Sequence, residues 1–211
     1  MKIMIVEPFV SLIDIALQTL TMPVSDMRVC EFGNQYMRVP GIPHSSGKEY
    51  FESLGAKHIS LDLNGRTGSI KMDLSKDVLL MHPEWAGAFD LVTDFGTIEH
   101  VENGVYEAFL NAHNLCRKGG VMLHTLPLSG CWPGHSPYHF DDVFFPRLAL
   151  GSKYVVVVHS LQTTTYGKHS RKPKTNVSAV MIKSRDEPFM SKERFVGLLS
   201  VCIDGFNETM P

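Results

Sequence analysis

Short apolar or β-branched runs recur along the chain with helical patterns between them, and this alternation limits the possible folds more than any other feature. The runs are RVCEF (28–32), HISLD (58–62), SIKM (69–72), FDLVTD (89–94) and GVMLHTL (120–126). A first helix is expected over 10–20 (VSLIDIALQTL), stopped before Pro23, with further helices over 46–55, 76–86 and 103–117. Strands that alternate with helices, several apolar on both faces, predict a parallel sheet covered on both sides. After residue 150 the rhythm changes. YVVVVHS (154–160) and NVSAVMIKS (176–184) are joined by a polar loop with no room for a crossover helix, so they should pair antiparallel. The expected fold is α/β: a Rossmann-like doubly wound sheet, mostly parallel and seven-stranded, with an antiparallel final strand. KERFVGLLSVCI (192–203) reads as a closing helix.

The 211 residues are 44% hydrophobic and 20% charged, enough for one globular domain with its own core. A formal charge of −2 and a pI near 6.5 exclude the general basic excess of a nucleic-acid-binding surface. The one local candidate, KHSRKPK (168–174), also reads as a solvated hairpin loop. MKIMIVEPFV lacks the length and cleavage site of a signal peptide, and no apolar run approaches the ~20 residues of a membrane span. Cys30, Cys116, Cys131 and Cys202 form no CxxC pair, which suits reduced thiols in a cytoplasmic protein, with Cys30 a small core residue.

In open parallel sheets a ligand sits at the C-terminal strand ends, where the strand order reverses. The residues expected there are Glu31, Phe32, Gly33 and Asn34; Asp62 and Leu63; Asp73 and Leu74; and Asp94, Phe95 and Gly96. Carboxylates at successive strand ends would repel a pyrophosphate but accept hydrogen bonds from ribose hydroxyls or an adenine amino group, or face a cation. VCEFGNQYM (29–37) lacks the GxGxxG that lets backbone approach a dinucleotide's phosphates. S-adenosylmethionine has no phosphate and demands fewer glycines and more acceptors. For these acidic residues a helix-cap or loop role stands beside the ligand role, most evenly for Asp94.

VCEFGNQ, HISLDLNG, SIKMDLSK, FDLVTDFGTIEHV and NLCRKGGVMLHTLP, in that order over roughly 28–127, resemble the motifs of class I S-adenosylmethionine-dependent methyltransferases, and the terminal hairpin resembles that family's reversed seventh strand. The resemblance implies a cofactor half at about 28–127, a substrate-facing insert at about 128–150 and a terminal hairpin at about 153–184, all in one domain spanning 1–211. It places Glu31 and Gly33 along the methionine and ribose part of the cofactor, Asp62 at the ribose hydroxyls, Asp73 with Leu74 at the adenine, and Asp94, Phe95 and Gly96 near the methyl group, with Asn34 and Leu63 also among the cofactor-binding residues. Gln35 departs from the pattern, standing where a second loop glycine is usual. The long segment 34–45 that follows is expected to be functional, with closure over the site as one role for it.

Methyl transfer requires alignment of a nucleophile and, for a hydroxyl or amine, removal of a proton. His100 follows the fourth strand, and His124, His135, His139, Asp141 and Asp142 follow the fifth. His100, His135 and His139 are the candidate catalytic residues, with loop stabilisation as the alternative role. Glu99, His100 and His139 also resemble the ligand set of metal-dependent small-RNA 2′-O-methyltransferases. Gly96 stands where that pattern has a further glutamate, and EHV is common in methyltransferases that use no metal, so no metal is assigned. The expected activity is methyl transfer to a small-molecule or sugar-like acceptor, with no membrane, nucleic acid unexpected as partner and a homo-oligomer allowed. A non-catalytic binding module and a nicotinamide-dependent oxidoreductase are the alternatives.

Overall fold

Seven strands form the main sheet of the computed structural model, which describes residues 4–164 and 173–202, the side chains of 200–202 excepted. In chain order the elements are β1 (Met4–Val6), α1 (Glu7–Thr19), β2 (Arg28–Phe32), β3 (Tyr36–Arg38), α2 (Gly47–Ser53), β4 (Lys57–Asp62), β5 (Ile70–Lys71), β6 (Phe89–Phe95), α3 (Val105–Leu115), β7 (Cys116–Pro127), α4 (Phe144–Ser152), β8 (Val155–Thr164), β9 (Lys174–Ile182) and α5 (Lys192–Cys202). The sheet runs β5-β4-β2-β6-β7-β9-β8. The first five are parallel, and β9 is antiparallel to both of its neighbours, as the polar 160s loop requires.

Strand period fixes the layers. Val29, Leu91, Val121, Leu123 and Val180 share one buried cluster with Phe9, Leu12, Ile13 and Ala16 of α1. Their neighbours Cys30, Val92, Met122, Ala179 and Met181 share the opposite cluster with Ala108, Phe109 and Ala112 of α3 and residues of α4 and α5. The i, i+3, i+4, i+7 spacing of the α1 residues gives the helix one apolar stripe, and each large side chain buried there contributes about 1.5–3 kcal/mol. Strand β6 is buried along its whole length between β2 and β7.

Three expectations are corrected. Segment 76–86 is not a helix but two short 3₁₀ turns, Val78–Leu80 and Pro83–Trp85. Asp77 accepts from the Leu79 N–H, and Pro83 supplies no N–H to continue a helical ladder. Segment 34–45 does not close over the site: β3 lies inside it and pairs in parallel with β1, burying Ile5 and Met37 together. Strand β7 begins at Cys116 rather than near 120, with an irregular register opposite Phe89–Leu91. In the basic segment, 168–172 lie outside the described residues, while Lys174 opens β9 and lies over the Trp132 ring at 5.2 Å. Cys30 and Cys116 are buried free thiols. Among the described residues no helix is long and apolar enough to cross a membrane.

Candidate active site

Strand β2 pairs with β4 on one side and with β6 on the other, and the chain crosses back over the sheet between β5 and β6, so the crevice opens at the ends of β2, β4 and β6. The turn leaving β2 is built on Gly33, whose φ is +79° and whose N–H donates to the Leu61 carbonyl at 2.8 Å. A Cβ there would lie 2.3 Å from Thr97 Oγ1, so this one glycine is required by space as well as by φ. Gln35 is fully buried and donates from Nε2 to the Phe32 carbonyl (2.7 Å) and to Thr97 Oγ1 (3.0 Å). Where a glycine-rich loop would have bare backbone, this loop has a side-chain brace.

Glu31 supports the same loop from beneath. It is 1% exposed, accepts from the Gln35 N–H at 3.1 Å, and lies 3.8 Å from His58 Nε2. Burial pushes its carboxyl upward against the opposing influence of His58. A Cβ on Gly47 would lie 2.0 Å from its Oε2, so the start of α2 rests on this carboxyl. Glu31 therefore does not line the cleft, as the resemblance implied it would.

The cleft has a volume of about 510 Å³ and is lined by Asp62, Leu63, Met72, Asp73, Leu74, Thr97, His100 and their neighbours. Asp62 accepts from the Asn34 N–H (2.8 Å) and the Asn64 N–H (2.9 Å), so it organises the β2 and β4 loops while facing the cleft. Leu63 is 66% exposed. Asp73 accepts from the Ser75 N–H and hydroxyl, and these bonds hold its carboxyl below the usual range. Leu74 and Met72 supply buried apolar wall.

At the end of β6 the expected trio of Asp94, Phe95 and Gly96 does not line the cleft. Asp94 is fully buried and accepts from the Thr97 N–H (2.8 Å) and the Ile98 N–H (3.3 Å), capping the 3₁₀ turn Ile98–His100. Its other oxygen meets His124 Nδ1 at 3.3 Å. Phe95 packs on Phe9, and Gly96 takes φ +88° to start the turn. His124 lies between Phe109 and Phe145 in the core. Asp141 accepts from the Val143 N–H in the turn before α4, and Asp142 is exposed.

That 3₁₀ turn brings Glu99 and His100 against the segment after β7. His100 Nε2 is 3.7 Å, and His135 Nε2 3.6 Å, from Glu99 Oε1, and the two imidazoles lie 5.0 Å apart between centroids. Glu99 is 1% exposed. Burial, then the nearby Asp94, push its carboxyl well above the usual range. Burial lowers His100, and burial together with the neighbouring His100 and His139 lowers His135 to about 4, so both rings are neutral near pH 7. His139 is close enough for its charge to act on both. His100 and His135, two of the three histidines picked from sequence, thus meet at the edge of the cleft that His100 lines.

Thr97 and Gln35 were missed as site-building residues. A lone threonine after a strand has no pattern of its own, and only the departure from glycine at 35 marked that position. Ser75, which fixes Asp73, is equally inconspicuous in a polar turn.

No protein-family profile matches the sequence, and no curated protein matches it. Solved structures do. The 1,6-didemethyltoxoflavin-N1-methyltransferase of Burkholderia thailandensis, solved with 1,6-didemethyltoxoflavin and S-adenosylhomocysteine, is 16% identical with a TM-score of 0.53, covering 80% of this chain and 76% of that one. A candidate methyltransferase of Bacillus halodurans gives a TM-score of 0.59 at 10% identity over 84% of this chain and 99% of its own. The 16S rRNA (adenine(1408)-N(1))-methyltransferase of Catenulisporales acidiphilia gives 0.50 at 12% identity over 86% and 94%. At such identities the likeness is one of fold.

Proposed function

From this class I methyltransferase fold we infer that the chain is an S-adenosylmethionine-dependent methyltransferase acting on an oxygen or nitrogen of a small-molecule or sugar-like acceptor. The observation that carries the reading is the cleft itself, acidic at Asp62 and Asp73, apolar at Met72 and Leu74, and bordered by His100. When bound, the cofactor supplies an activated methyl group on a sulfonium.

The residues present fit such a molecule. Asp62 keeps acceptor capacity for ribose hydroxyls beyond its two backbone bonds, because a carboxylate has about four lone-pair positions. Asp73 and Leu74 offer an acceptor and an apolar surface to an adenine, with Leu63 on the open side. Gly33 and Asn34, stiffened by Gln35 from above and Glu31 from beneath, shape the methionine end. Asp94, Phe95 and Gly96 act one step back, by fixing the turn that presents Thr97 and His100. The missing GxGxxG and the acidic lining speak against a nicotinamide dinucleotide.

The acceptor would approach from the segment 128–150, with His100, His135 and His139 on that side. Near-neutral net charge supports a small acceptor over bulk nucleic acid. Titration calorimetry with S-adenosylmethionine, S-adenosylhomocysteine and NAD tests the cofactor, repeated on Asp62→Asn and Asp73→Asn. Binding of the first two alone, weakened in both variants, is expected. Failure of both to bind the wild-type chain would leave the fold without this function. Binding with no turnover across an acceptor screen would favour a binding module.

A further inference from the structure

Glu99, His100 and His135 form a cluster that the cofactor cleft does not explain. One donor atom of each lies within 4.8 Å of the others, and two of the three separations are 3.6 and 3.7 Å. These are too long for hydrogen bonds. They are close to the separation of about 3.4 Å between two ligands of a tetrahedral ion at ~2.1 Å from each. Glu99 is 1% exposed, yet its Oε2 has no hydrogen-bond partner among the described residues, and neither does the buried His100 Nε2. A buried carboxylate oxygen without a donor is costly, by about 1–3 kcal/mol or more, unless something positive meets it.

We propose that Glu99, His100 and His135 bind a divalent transition-metal ion of the zinc and cobalt class, which clasps the segment after β7 to the end of β6. Two imidazoles and one carboxylate suit such borderline ions better than magnesium or calcium, which favour oxygen ligands throughout. Glu99 and His100 come from the turn that Asp94 caps, so the sheet fixes two of the ligands. His135 comes from a segment anchored at its two ends: Phe140 N–H donates to the Pro127 carbonyl, and Trp132 Nε1 donates to the Thr175 carbonyl. Gly130 and Gly134, both at positive φ, flank Trp132 in this segment, and the ion would tie its His135 directly to the end of β6. Three protein ligands leave coordination positions free, and His100 also lines the cleft, so the ion would sit where an acceptor oxygen or nitrogen could reach it. The location as an acceptor site rests on the methyltransferase reading; the metal site itself does not.

The test uses the whole chain, stripped of metal with a chelator. Cobalt(II) is titrated and followed by visible ligand-field absorption, with zinc added in competition, and melting temperature is recorded with and without zinc. Saturation at one ion per chain is expected, with displacement by zinc and a zinc-dependent rise in melting temperature. Glu99→Gln, His100→Gln and His135→Asn should each weaken cobalt binding at least about tenfold and lose the zinc effect. His44→Gln, in the loop before α2, should change neither. Circular dichroism shows which variants are folded, and any one folded ligand variant suffices. Absent cobalt absorption, or binding undiminished in the folded variants, overturns the proposal. Calorimetry with S-adenosylmethionine on the same preparations separates the two readings: metal binding without cofactor binding sinks the methyl-transfer reading alone, and the reverse sinks only the metal site.

Discussion

Gln35 Nε2 donates to Thr97 Oγ1 across 3.0 Å, and both side chains also donate to the Phe32 carbonyl, at 2.7 and 2.8 Å respectively. The turn after β2 is thereby fastened to the turn after β6 at the point where the strand order reverses. A glycine-rich loop achieves close approach by having no side chains; this loop keeps one glycine and fills the remaining space with an amide that bridges two strand ends. Gln35, standing where the resembled motif has a glycine, is thus a brace between two strand ends.

Gln35→Ala should destabilise the protein by about 1–2 kcal/mol, the usual range for losing buried hydrogen bonds. Thr97→Val should cost a similar amount. Because the two side chains share partners, the double variant should cost less than the sum, which chemical denaturation of all four proteins would measure. Additive losses would show that the brace is not a unit. Gln35→Gly should not improve cofactor affinity, since it removes the amide and adds backbone freedom.

Gly104 is the second position where a missing side chain bears on the cleft. A Cβ there would lie 2.3 Å from Ser75 Cβ and 2.6 Å from Ser75 Cα, and Ser75 holds Asp73 through two hydrogen bonds. At the start of a helix Gly→Ala is ordinarily mild, but Gly104→Ala should cost about 1–3 kcal/mol by overpacking and should weaken adenosyl-ligand binding by displacing Asp73. Unchanged stability together with unchanged affinity for S-adenosylhomocysteine would contradict this.

Much of the frame was legible because it rests on periodicity. Strands β2, β4 and β6 and helices α1 and α3 lie close to where apolar spacing put them, and the hairpin followed from a loop too short for a crossover. Segment 76–86 failed because its apolar residues pack at 3₁₀ turns pinned by tertiary bonds: Val78 N–H donates to Asn111 Oδ1 from a different helix. Strands β1 and β3 are three residues each, below the length at which a period can be read, and they pair at a separation of 32 residues, Met4 opposite Tyr36. In the candidate site, position along the chain put Asp62, Asp73 and His100 at strand ends, and all three line the cleft. It could not separate a carboxylate that faces the cleft from one that faces its own backbone. Glu31 and Asp94 carry the same charge at equivalent strand ends but turn inward, Glu31 to the Gln35 N–H and Asp94 to the Thr97 N–H.

Asp94→Ala provides a direct test of that distinction. It removes the acceptor for two turn N–H groups and leaves the fully enclosed His124 without its partner. Loss of a cap costs about 0.5–2 kcal/mol and an orphaned buried polar group about 1–3 kcal/mol, so a combined loss of roughly 2–4 kcal/mol is expected. A variant of undiminished stability that no longer binds S-adenosylhomocysteine would show instead that Asp94 touches the cofactor.

His113 sets the last expectation, on acid stability. Its Nδ1 meets the Tyr154 hydroxyl at 2.8 Å and its Nε2 the Glu187 carbonyl at 2.9 Å, an arrangement that suits the neutral ring with the proton on Nε2. Burial, with the nearby Lys183, lowers its pKa to about 4. In the unfolded chain an unperturbed histidine binds its proton near pH 6.5. Between those two values the unfolded state takes up a proton that the folded state refuses, so acidification favours unfolding. The stabilisation is full above about pH 6.5 and falls away as the pH drops toward 4, with each tenfold difference in proton affinity worth about 1.4 kcal/mol. Carboxylates also titrate near the lower end of this range, so the informative quantity is a difference. His113→Gln can donate to the Glu187 carbonyl and accept from Tyr154 without titrating. Its unfolding free energy should therefore decline less steeply than that of the wild type between pH 6.5 and 4.5. Parallel pH profiles would mean that His113 takes up its proton in the folded protein as readily as in water, by rearranging its contacts with Tyr154 and Glu187.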